Sequence, residues 1–277
     1  MKSSGRKPAL STIHLGDNLP FMSALPDGCC DLIYIDPPFC SNTVRSTSRQ
    51  PRGFSDVWAG GLKSYLAFLF PRLVECGRVL APHGLFFAHL DWRAVHYVKI
   101  QLDTIFGIRN FLNEIVWHYR TGGSSARWFG RKHDTILLYA KQSGRHRFNV
   151  LREGIYRTDG LNYDSGGRPY KTTRRGRLYF NAAGPALTDV WDIPFLSTVS
   201  RERCGWPTQK PLKLLERIIR AGSRPGDVVA DFFCGSGTTL VAARKLGRRW
   251  LGCDGSPRAV SMARHRLSTT MRAGDQD

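Results

Sequence analysis

The distribution of hydrophobic and polar residues divides the chain into two blocks in which predicted strands alternate with predicted helices. Apolar runs in the first block predict strands, and apolar residues at helical spacing predict helices; the strands are 11–17, 31–36, 84–91, 113–120 and 134–140, and the helices 64–80 and 93–107. The second block predicts helices at 207–222, from the turn after 233 to about 245, and from 257, with strands at 227–233 and 248–254. A turn is predicted at 81–84, and Pro211 suits a first helical turn. The alternation predicts an α/β fold with a parallel sheet covered by helices on both faces.

The segment between the two blocks lacks this alternation and is strongly basic. Residues 120–180 contain 14 Lys and Arg against 4 Asp and Glu, and the whole chain contains 41 against 22, a net charge of +19. Such a charge favours a polyanionic partner, with nucleic acid ahead of an anionic membrane surface. A solvated, loop-rich insert is the alternative, but the charge is concentrated where the strand–helix pattern stops. We therefore predict an insert that contacts nucleic acid.

Composition narrows the class of protein further. No apolar run approaches the roughly 18 to 20 residues of a membrane span, and no signal-peptide pattern opens the chain. The seven cysteines are odd in number and include no Cys-x-x-Cys, which disfavours a disulfide framework or a metal site. These features predict a protein of the reducing cytoplasm that is not bound to a membrane.

The strand at 31–36 ends in an unusual cluster. Its apolar run DLIYI stops at Asp36, Pro37, Pro38 and Phe39. Asp-Pro-Pro is a natural way to end a strand, so these residues are either a stop signal or a chemical motif. The four residues alone do not decide between the two.

A glycine turn follows the strand at 227–233 and opens the next helix. Gly235 and Gly237 permit a tight turn and a close approach of the backbone to a ligand. Asp254 ends the next strand 19 residues after Gly235, about where a ribose-binding acid falls in a nucleotide-binding βαβ unit. Leu240 stands where a dinucleotide pattern has its third glycine, and no G-x-x-x-x-G-K-[ST] occurs. An adenosine-containing cofactor other than NAD, FAD or ATP is therefore favoured.

Together these motifs resemble a known family, the amino-directed DNA methyltransferases. Asp36–Phe39 is similar to its D/N/S-P-P-Y/F/W motif, and Phe233–Gly237 to the F-x-G-x-G turn of its S-adenosylmethionine site. Four further segments also match sequences that are usual in this family: RVLAPHGLFFAHLDW, KHDTILLYAK, VWDIP and ERCGWPTQKPLKLLERII. The similarity covers nearly the whole chain and is weakest at its ends and across about 145–187. Because the catalytic motif comes first and the cofactor turn last, the order resembles that of the circularly permuted β class.

The resemblance implies a fold and a division of the chain. We expect a Rossmann-like, seven-stranded methyltransferase sheet with one antiparallel edge strand, circularly permuted and carrying a basic target-recognition insert. The catalytic half would comprise 1–120, with 132–141 as an added strand, and the cofactor half 188–277. The insert that recognises and contacts DNA would comprise 121–187. The strand at 11–17 would then lie beside the strand at 248–254.

The resemblance also implies roles for cofactor residues. Asp17 would approach the adenine of S-adenosylmethionine and Asp254 its ribose, while Thr208 and Lys210 would lie near its carboxylate. The remaining predicted contacts belong to the glycine turn, on the methionine side: Asp231, Phe233, Cys234, Gly235, Ser236, Gly237 and Thr238. Asp17 could instead be a plain turn residue, and Lys210 a solvent-exposed charge at a helix start. Cys40 and Cys234 are interpreted as packing residues rather than nucleophiles.

The catalytic motif has a composition that suits methylation of an amino group. A base NH₂ is a poor nucleophile, and hydrogen bonds to the Asp36 carboxylate and the Pro37 carbonyl would aim its lone pair at the methyl group. Consecutive prolines keep such acceptors rigid, and Phe39 offers a face for a flipped base. The predicted DNA contacts are basic residues of the insert: Arg127, Arg131, Lys171, Arg174, Arg175 and Arg177.

The predicted function is N6 methylation of adenine in double-stranded DNA. Asp at the first motif position favours adenine, while N4 methylation of cytosine remains the nearest alternative. An RNA substrate and a non-catalytic DNA-binding module are further alternatives, and the absence of Pro-Cys disfavours cytosine C5 chemistry. The resemblance adds a homodimer, a cognate restriction endonuclease and a cytoplasmic, nucleoid-associated location as expectations.

Overall fold

The computed structural model describes residues 11–41, 43–47, 50–120, 124–156, 160–197 and 199–274. The first half contains β1 (Thr12–Leu15), α1 (Asn18–Ser23), β2 (Cys30–Ile35), β3 (Thr43–Thr47), β4 (Gln50–Asp56), α2 (Gly61–Val79), β5 (Leu80–Leu90), α3 (Val95–Phe106), β6 (Phe111–His118) and β7 (His133–Ala140). The second half contains β8 (Asn162–Tyr163), β9 (Pro169–Thr173), β10 (Gly176–Tyr179), β11 (Val190–Asp192), α4 (Leu212–Gly222), β12 (Val228–Asp231), α5 (Thr238–Lys245), β13 (Arg249–Asp254) and α6 (Pro257–Gly274).

The largest sheet among the described residues is mostly parallel. Within the described residues it has eight strands in the order β1-β13-β12-β2-β5-β7-β6-β11. Neighbours from β1 to β5 all pair in parallel, so their carboxyl ends meet at one edge of the sheet. The predicted Rossmann-like α/β fold is confirmed.

Two details of the sheet differ from the expected arrangement. The antiparallel strand β7 is an internal strand rather than an outermost one, because it pairs with β5 on one side and with β6 on the other. The short strand β11 pairs in parallel with β6 and adds an eighth strand beyond the expected seven. Three residues of alternating burial give β11 too short a pattern to be recognised from sequence.

The two ends of the described chain meet in the sheet. Leu15 of β1 is paired with Asp254 of β13, and Thr12 with Leu251. The strand near the amino terminus therefore lies beside the strand near the carboxyl terminus, as the permuted order predicts. This pairing places Asp17 and Asp254 at the same edge of the sheet.

Helices cover both faces of the sheet, and the central strands explain why. In β2, Ile33 and Ile35 belong to a core shared with α1, α2 and α3, whereas Leu32 and Tyr34 belong to a core shared with α4, α5 and α6. All four side chains are at most 1% exposed. A strand buried on both faces reads as a continuous apolar run, which is the pattern of DLIYI.

Three local predictions need correction. The predicted turn at 81–84 lies inside β5, where the register with β2 shifts between the pairs Cys30–Leu80 and Leu32–Leu85. Pro211 precedes α4 at its N-cap instead of occupying the first turn. The helix α1 was not predicted because its six residues are too few to show a helical period.

The described chain separates into two compact units. The larger contains residues up to Phe148 and from Asp189 onward, and the smaller is Asn149–Thr188. Inside the smaller unit, β8, β9 and β10 form an antiparallel sheet, and an isolated bridge joins Arg152 to Ala186. The first part of the predicted insert 121–187, residues 124–148, therefore belongs to the larger unit. Residues 121–123 and 157–159 of the predicted insert lie outside the described residues.

Among the residues that the structure describes, no helix combines the length and the apolar character needed to cross a membrane.

The apolar face of α4 allows a test of the core. Ile218 is fully buried, at 0% exposure, and Ile218→Ala should lower the free energy of unfolding by about 2–5 kcal/mol because it leaves a cavity. Denaturant unfolding measures the loss. Ile108→Ala is the matched control: Ile108 is 71% exposed, and its loss should stay within about 0.5 kcal/mol. Equal effects of the two substitutions would contradict the assigned core.

Candidate active site

A cleft opens at the edge of the sheet where the parallel strands end. Asp36 follows β2, and Asp231 and Asp254 end β12 and β13. The cleft has a volume of about 510 Å³, within the range of small-molecule sites. The structure brings to its walls every predicted catalytic and cofactor residue except Gly237: Asp17, Asp36, Pro37, Pro38, Phe39, Thr208, Lys210, Asp231, Phe233, Cys234, Gly235, Ser236, Thr238 and Asp254.

Asp254 ties the glycine turn to the neighbouring strand. Its Oδ2 accepts a hydrogen bond from the Gly235 N–H at 2.8 Å, and its Oδ1 accepts one from the Ser256 N–H at 2.9 Å. Burial raises the pKa of this carboxyl above its ordinary value. The acid at the end of β13 therefore helps to shape the turn, besides facing the cleft.

The two glycines of the turn are required by backbone conformation and by packing. Gly235 and Gly237 have φ angles of +49° and +77°, a region that L residues with side chains avoid. A Cβ on Gly235 would lie 3.1 Å from the Trp206 indole nitrogen, and one on Gly237 would lie 2.6 Å from the Ala263 Cβ of α6. Gly237 thus lets α5 begin close to α6. This packing role explains why Gly237 does not itself line the cleft.

Asp231 supports the turn from the interior. Its carboxylate accepts hydrogen bonds from the Phe233 N–H at 3.0 Å and from the Thr239 hydroxyl at 2.5 Å. Burial raises the pKa of Asp231 to about 7, despite these hydrogen bonds, and the nearby carboxylates of Asp36 and Asp254 add to the shift. Asp231 therefore stabilises the glycine turn through hydrogen bonds and also lines the cleft.

Arg266 of α6 supports the same turn and was not predicted from the sequence. Its guanidinium donates to the Ser236 carbonyl at 2.7 Å, to the Ser236 hydroxyl at 3.1 Å and to the Thr238 hydroxyl at 3.0 Å. Burial lowers the pKa of Arg266. In the sequence it is one of several arginines on an amphipathic helix, so nothing distinguishes it before the fold is known.

Asp17 proves to be both a turn residue and part of the cleft. It is the N-cap of α1: its Oδ1 accepts from the Leu19 N–H at 3.0 Å and from Arg72 at 2.8 Å. These interactions, led by the Leu19 hydrogen bond, lower the pKa of Asp17. Its buried neighbour Asn18 accepts from Arg72 at 2.7 Å and donates to the Phe232 carbonyl at 2.7 Å. Asn18 and Arg72 were not predicted, since their contact spans 54 residues.

The predicted catalytic motif is held by a lysine from the other half of the chain. The Lys210 ammonium lies 2.5 Å from the Asp36 Oδ2 and 5.0 Å from the centroid of the Phe39 ring. Both partners of the ion pair are mostly buried, with side-chain exposures of 11% for Lys210 and 16% for Asp36. Lys210 is therefore not a solvent-exposed charge at a helix start.

Asp56 fixes the chain just after the motif. Its carboxylate accepts from the N–H groups of Cys40 at 3.1 Å and Ser41 at 2.8 Å, and from the Trp58 indole at 2.9 Å. Cys40 has a φ of +54°, so the backbone after Phe39 is held in an uncommon conformation. Asp56 was not predicted from the sequence, because it lies 16 residues from Cys40.

A buried polar chain lies beneath Phe39. The Phe39 ring stacks on His89 with centroids 5.8 Å apart. His89 Nδ1 and the Tyr34 hydroxyl are hydrogen-bonded at 2.8 Å, and His89 Nε2 and the Asp134 carboxylate at 3.1 Å. Burial acts to raise the pKa of Asp134, but its hydrogen bond to His89 and nearby positive charge leave it lowered. Polar residues inside the apolar runs GLFFAHLD and HDTILLYA were the available sequence signal.

The described residues contain no group of three or more His, Cys, Asp or Glu side chains that could hold a metal ion.

Comparison with known proteins decides the family. The family described as DNA methylase, which groups N6 and N4 methyltransferases, matches residues 30–265, the span that contains both motifs. The chain belongs to this family. The resemblance to the amino-directed, β-class DNA methyltransferases is thereby confirmed, and with it the expectation of an enzyme that modifies DNA.

One relative of this DNA methylase is the "DNA adenine methyltransferase YhdJ" of Escherichia coli K12. It is 30% identical over 260 residues, which cover 92% of this chain and 82% of the relative. A solved DNA modification methylase from Thermus thermophilus, TTHA0409 complexed with S-adenosyl-L-methionine, superposes with a TM-score of 0.59 at 24% identity, covering 93% of each chain. The cytosine-N4-specific PvuII DNA methyltransferase superposes with a TM-score of 0.63 at 16% identity, covering 94% of this chain and 87% of its own. The two structures show that the fold is shared.

The predicted DNA contacts of this methylase fall on both units. Arg127 and Arg131 belong to the larger unit, and the Arg131 guanidinium lies 3.8 Å from the centroid of the Trp92 ring. Trp92 follows β5, the neighbour of β2, so this pair lies at the same edge of the sheet as Asp36. The other predicted contacts are exposed residues on or between β9 and β10 of the smaller unit: Lys171, Arg174, Arg175 and Arg177.

The glycine turn gives a prediction with a closely matched control. Gly237→Ala and Gly226→Ala both place a side chain at positive φ, +77° and +86°, which costs about 1–2 kcal/mol. Only the new Cβ in Gly237→Ala also meets a neighbouring atom, the Ala263 Cβ at 2.6 Å. Nothing lies within 4 Å of a Cβ on Gly226. Gly237→Ala should therefore lose about 1–3 kcal/mol more of unfolding free energy, measured by denaturant titration. A loss of unfolding free energy in Gly237→Ala no larger than in Gly226→Ala would show that α6 shifts to relieve this contact.

Proposed function

We propose that this DNA methylase transfers the methyl group of S-adenosylmethionine to the exocyclic N6 of adenine in double-stranded DNA. One observation supports it above all others. Asp36 Oδ1 is buried, has no hydrogen-bond partner among the described residues, and belongs to a side chain lining the same cleft as the glycine turn. A buried acceptor without a partner is costly, so it is best explained by a donor that arrives with the substrate.

The cleft residues fit the proposed cofactor. S-adenosylmethionine supplies a methyl group on a positively charged sulfur, and carboxylates at the cleft favour a cation. Asp254 and Asp17, at the ends of adjacent paired strands, would hold the ribose and the adenine. The glycine turn would wrap the methionine portion, because its backbone can approach a ligand without side-chain interference.

The catalytic motif would prepare the amino group of the target base. Asp36 Oδ1 and the Pro37 carbonyl would accept its two N–H hydrogens, which would turn the nitrogen lone pair away from the ring and toward the methyl group. The N–C bond would form as the S–C bond breaks, with its electron pair remaining on sulfur. The nitrogen would then lose one proton to solvent water and return to neutrality. The contribution of the protein is mainly positioning.

The target base would have to leave the duplex to reach Asp36. Extrusion costs a few kcal/mol, and stacking on an aromatic ring returns about 1–3 kcal/mol. Phe39 provides such a ring and is kept in place by the buried chain through His89 and by the Asp56 contacts that follow it. Residues of the smaller unit, Asn149–Thr188, would contact DNA phosphates and recognise the target sequence.

Adenine is favoured over cytosine by the first residue of the motif and by one relative. Family members that act on adenine more often begin the motif with Asp, as here with Asp36, and the related protein of Escherichia coli K12 is named an adenine methyltransferase. The fold alone does not separate the two bases, since the PvuII enzyme is cytosine-N4-specific. N4 methylation of cytosine is therefore the alternative that an experiment has to exclude.

The decisive experiment identifies the methylated nucleoside. The protein is incubated with methyl-labelled S-adenosylmethionine and mixed-sequence duplex DNA, and the digested nucleosides are analysed by mass spectrometry. We expect label in N6-methyladenine. Label in N4-methylcytosine would replace adenine by the alternative, and unlabelled DNA would contradict the proposed transfer.

Asp36 variants test the site within the same assay. Asp36→Ala should lower the transfer rate by at least about 100-fold, because the acceptor for the amino group is lost, whereas Asp36→Asn keeps a neutral amide acceptor and should lower the rate less. Calorimetric titration should show that both variants still bind S-adenosylmethionine. Asp27→Asn is the control, since Asp27 carries an exposed carboxylate (81%) paired with Arg78. Wild-type rates in the Asp36 variants would remove Asp36 from the mechanism.

The arginines between β9 and β10 provide a test of DNA binding. Replacing Arg174 and Arg175 together by Ala should reduce the salt dependence of DNA affinity, by about 0.9 in log–log slope for each phosphate that the variant no longer neutralises. Fluorescence anisotropy over a salt series measures the slope. Arg109→Ala is the control: this exposed arginine precedes β6, at the sheet edge opposite Asp36. A slope that falls equally in the control would contradict the assigned surface.

A further inference from the structure

Lys210 contacts both chemically active ends of the D-P-P-F motif. Its ammonium lies 2.5 Å from the Asp36 Oδ2 and 5.0 Å from the centroid of the Phe39 ring. With side-chain exposures of 11% for Lys210 and 16% for Asp36, the pair is largely removed from water, so the attraction is only weakly screened. One cation thus contacts the carboxylate and the ring that are predicted to grip the base.

The two carboxylate oxygens of Asp36 differ in their hydrogen bonding. Oδ2 accepts the hydrogen bond from Lys210, whereas Oδ1 is buried and has no hydrogen-bond partner in the described part of the chain. A terminal carboxylate torsion is broad and would otherwise let the two oxygens exchange places. A strong, charge-assisted bond to one oxygen removes this freedom and leaves the other as the acceptor.

The segment that carries Lys210 is itself fixed. The Gln209 side chain donates to the Glu202 carbonyl at 2.8 Å and accepts from the Cys204 N–H at 2.8 Å. The Glu202 carboxylate accepts from the Leu212 N–H at 2.6 Å, at the start of α4. Lys210 therefore reaches Asp36 from a braced loop, so the position of its ammonium is set by the fold.

We propose that Lys210 is a positioning residue for Asp36: it holds Oδ2 and so presents Oδ1 to the amino group of the target base. The proposal rests on the proposed function of Asp36 as acceptor. It also assigns the lysine to the catalytic carboxylate in place of the cofactor carboxylate expected from sequence. Its charge further offsets the repulsion between Asp36 and the buried carboxylate of Asp231, which lies in the same cleft.

The two roles of Lys210 predict different measurements. A lysine that binds the cofactor carboxylate contributes to cofactor affinity, and loss of such a charged hydrogen bond weakens binding by about tenfold or more. A lysine that positions Asp36 contributes to the rate at saturating cofactor, where misplacement of a reacting group by about 1 Å costs on the order of 100-fold. Binding and single-turnover rate therefore separate the two.

The experiment compares Lys210→Met, Lys210→Arg and the wild type, with Lys213→Met as the control on the exposed side of α4. The dissociation constant of S-adenosylmethionine is measured by calorimetry, and single-turnover transfer to duplex DNA is measured at saturating cofactor. We expect Lys210→Met to bind the cofactor with less than a tenfold change but to transfer about 100-fold more slowly. Lys210→Arg should recover much of the rate, because it restores a cation to Asp36 Oδ2, and Lys213→Met should behave as wild type.

Other outcomes overturn the proposal. A cofactor affinity that falls tenfold or more in Lys210→Met, with a normal rate at saturation, would assign the lysine to the cofactor carboxylate. Loss of both binding and rate without recovery in Lys210→Arg would show that the lysine acts only through the structure of the loop. Failure of the proposed function is distinguishable from both, because the wild type itself would then transfer no label to DNA.

Discussion

The parallel pairing of β2 with β12 is the contact on which the site depends. Leu32 is paired with Val229 and Ile33 with Ala230, so two strands almost 200 residues apart in the chain end side by side. Each strand carries one motif at its carboxyl end, the D-P-P-F motif after β2 and the glycine turn after β12. Parallel strands place their carboxyl ends at a common edge, where α/β proteins bind ligands. A single pairing therefore creates the cleft in which cofactor and target base would meet.

Burial of carboxylates is the main electrostatic constraint on this cleft. Asp254 and Asp231 each accept two hydrogen bonds, one of them from the glycine turn, and burial raises the pKa of both. Asp36 differs because only one of its oxygens has a hydrogen-bond partner among the described residues, the Lys210 ammonium. Paired or hydrogen-bonded acids stabilise the turn, whereas the half-satisfied acid retains the capacity to accept a substrate hydrogen bond. The distribution of partners thus separates the carboxylates that support the turn from the one proposed to be catalytic.

Much of the site was predictable because its residues follow strand ends. An apolar run that ends in Asp36-Pro37-Pro38, and a glycine turn followed 19 residues later by Asp254, are short-range patterns that a sequence displays directly. The supporting residues were not predictable. Asp56, Arg266 and His89 act through contacts with residues far from them in sequence, and each looks like an ordinary polar residue of its own segment. Their roles depend on which helices and strands pack together, and no local pattern encodes that.

The sequence by itself determined the order of the main strands and helices, the permuted arrangement of the two motifs and the motif residues that line the cleft. These follow from periodicity and from turn chemistry, which are local properties of the chain. Only the tertiary structure decided that β7 lies inside the sheet, that β11 extends it, and that Lys210 lies against Asp36. Strand partners and buried ion pairs are chosen by packing between segments that are separated in the sequence, by 174 residues for Lys210 and Asp36, and there geometry and desolvation outweigh any local preference.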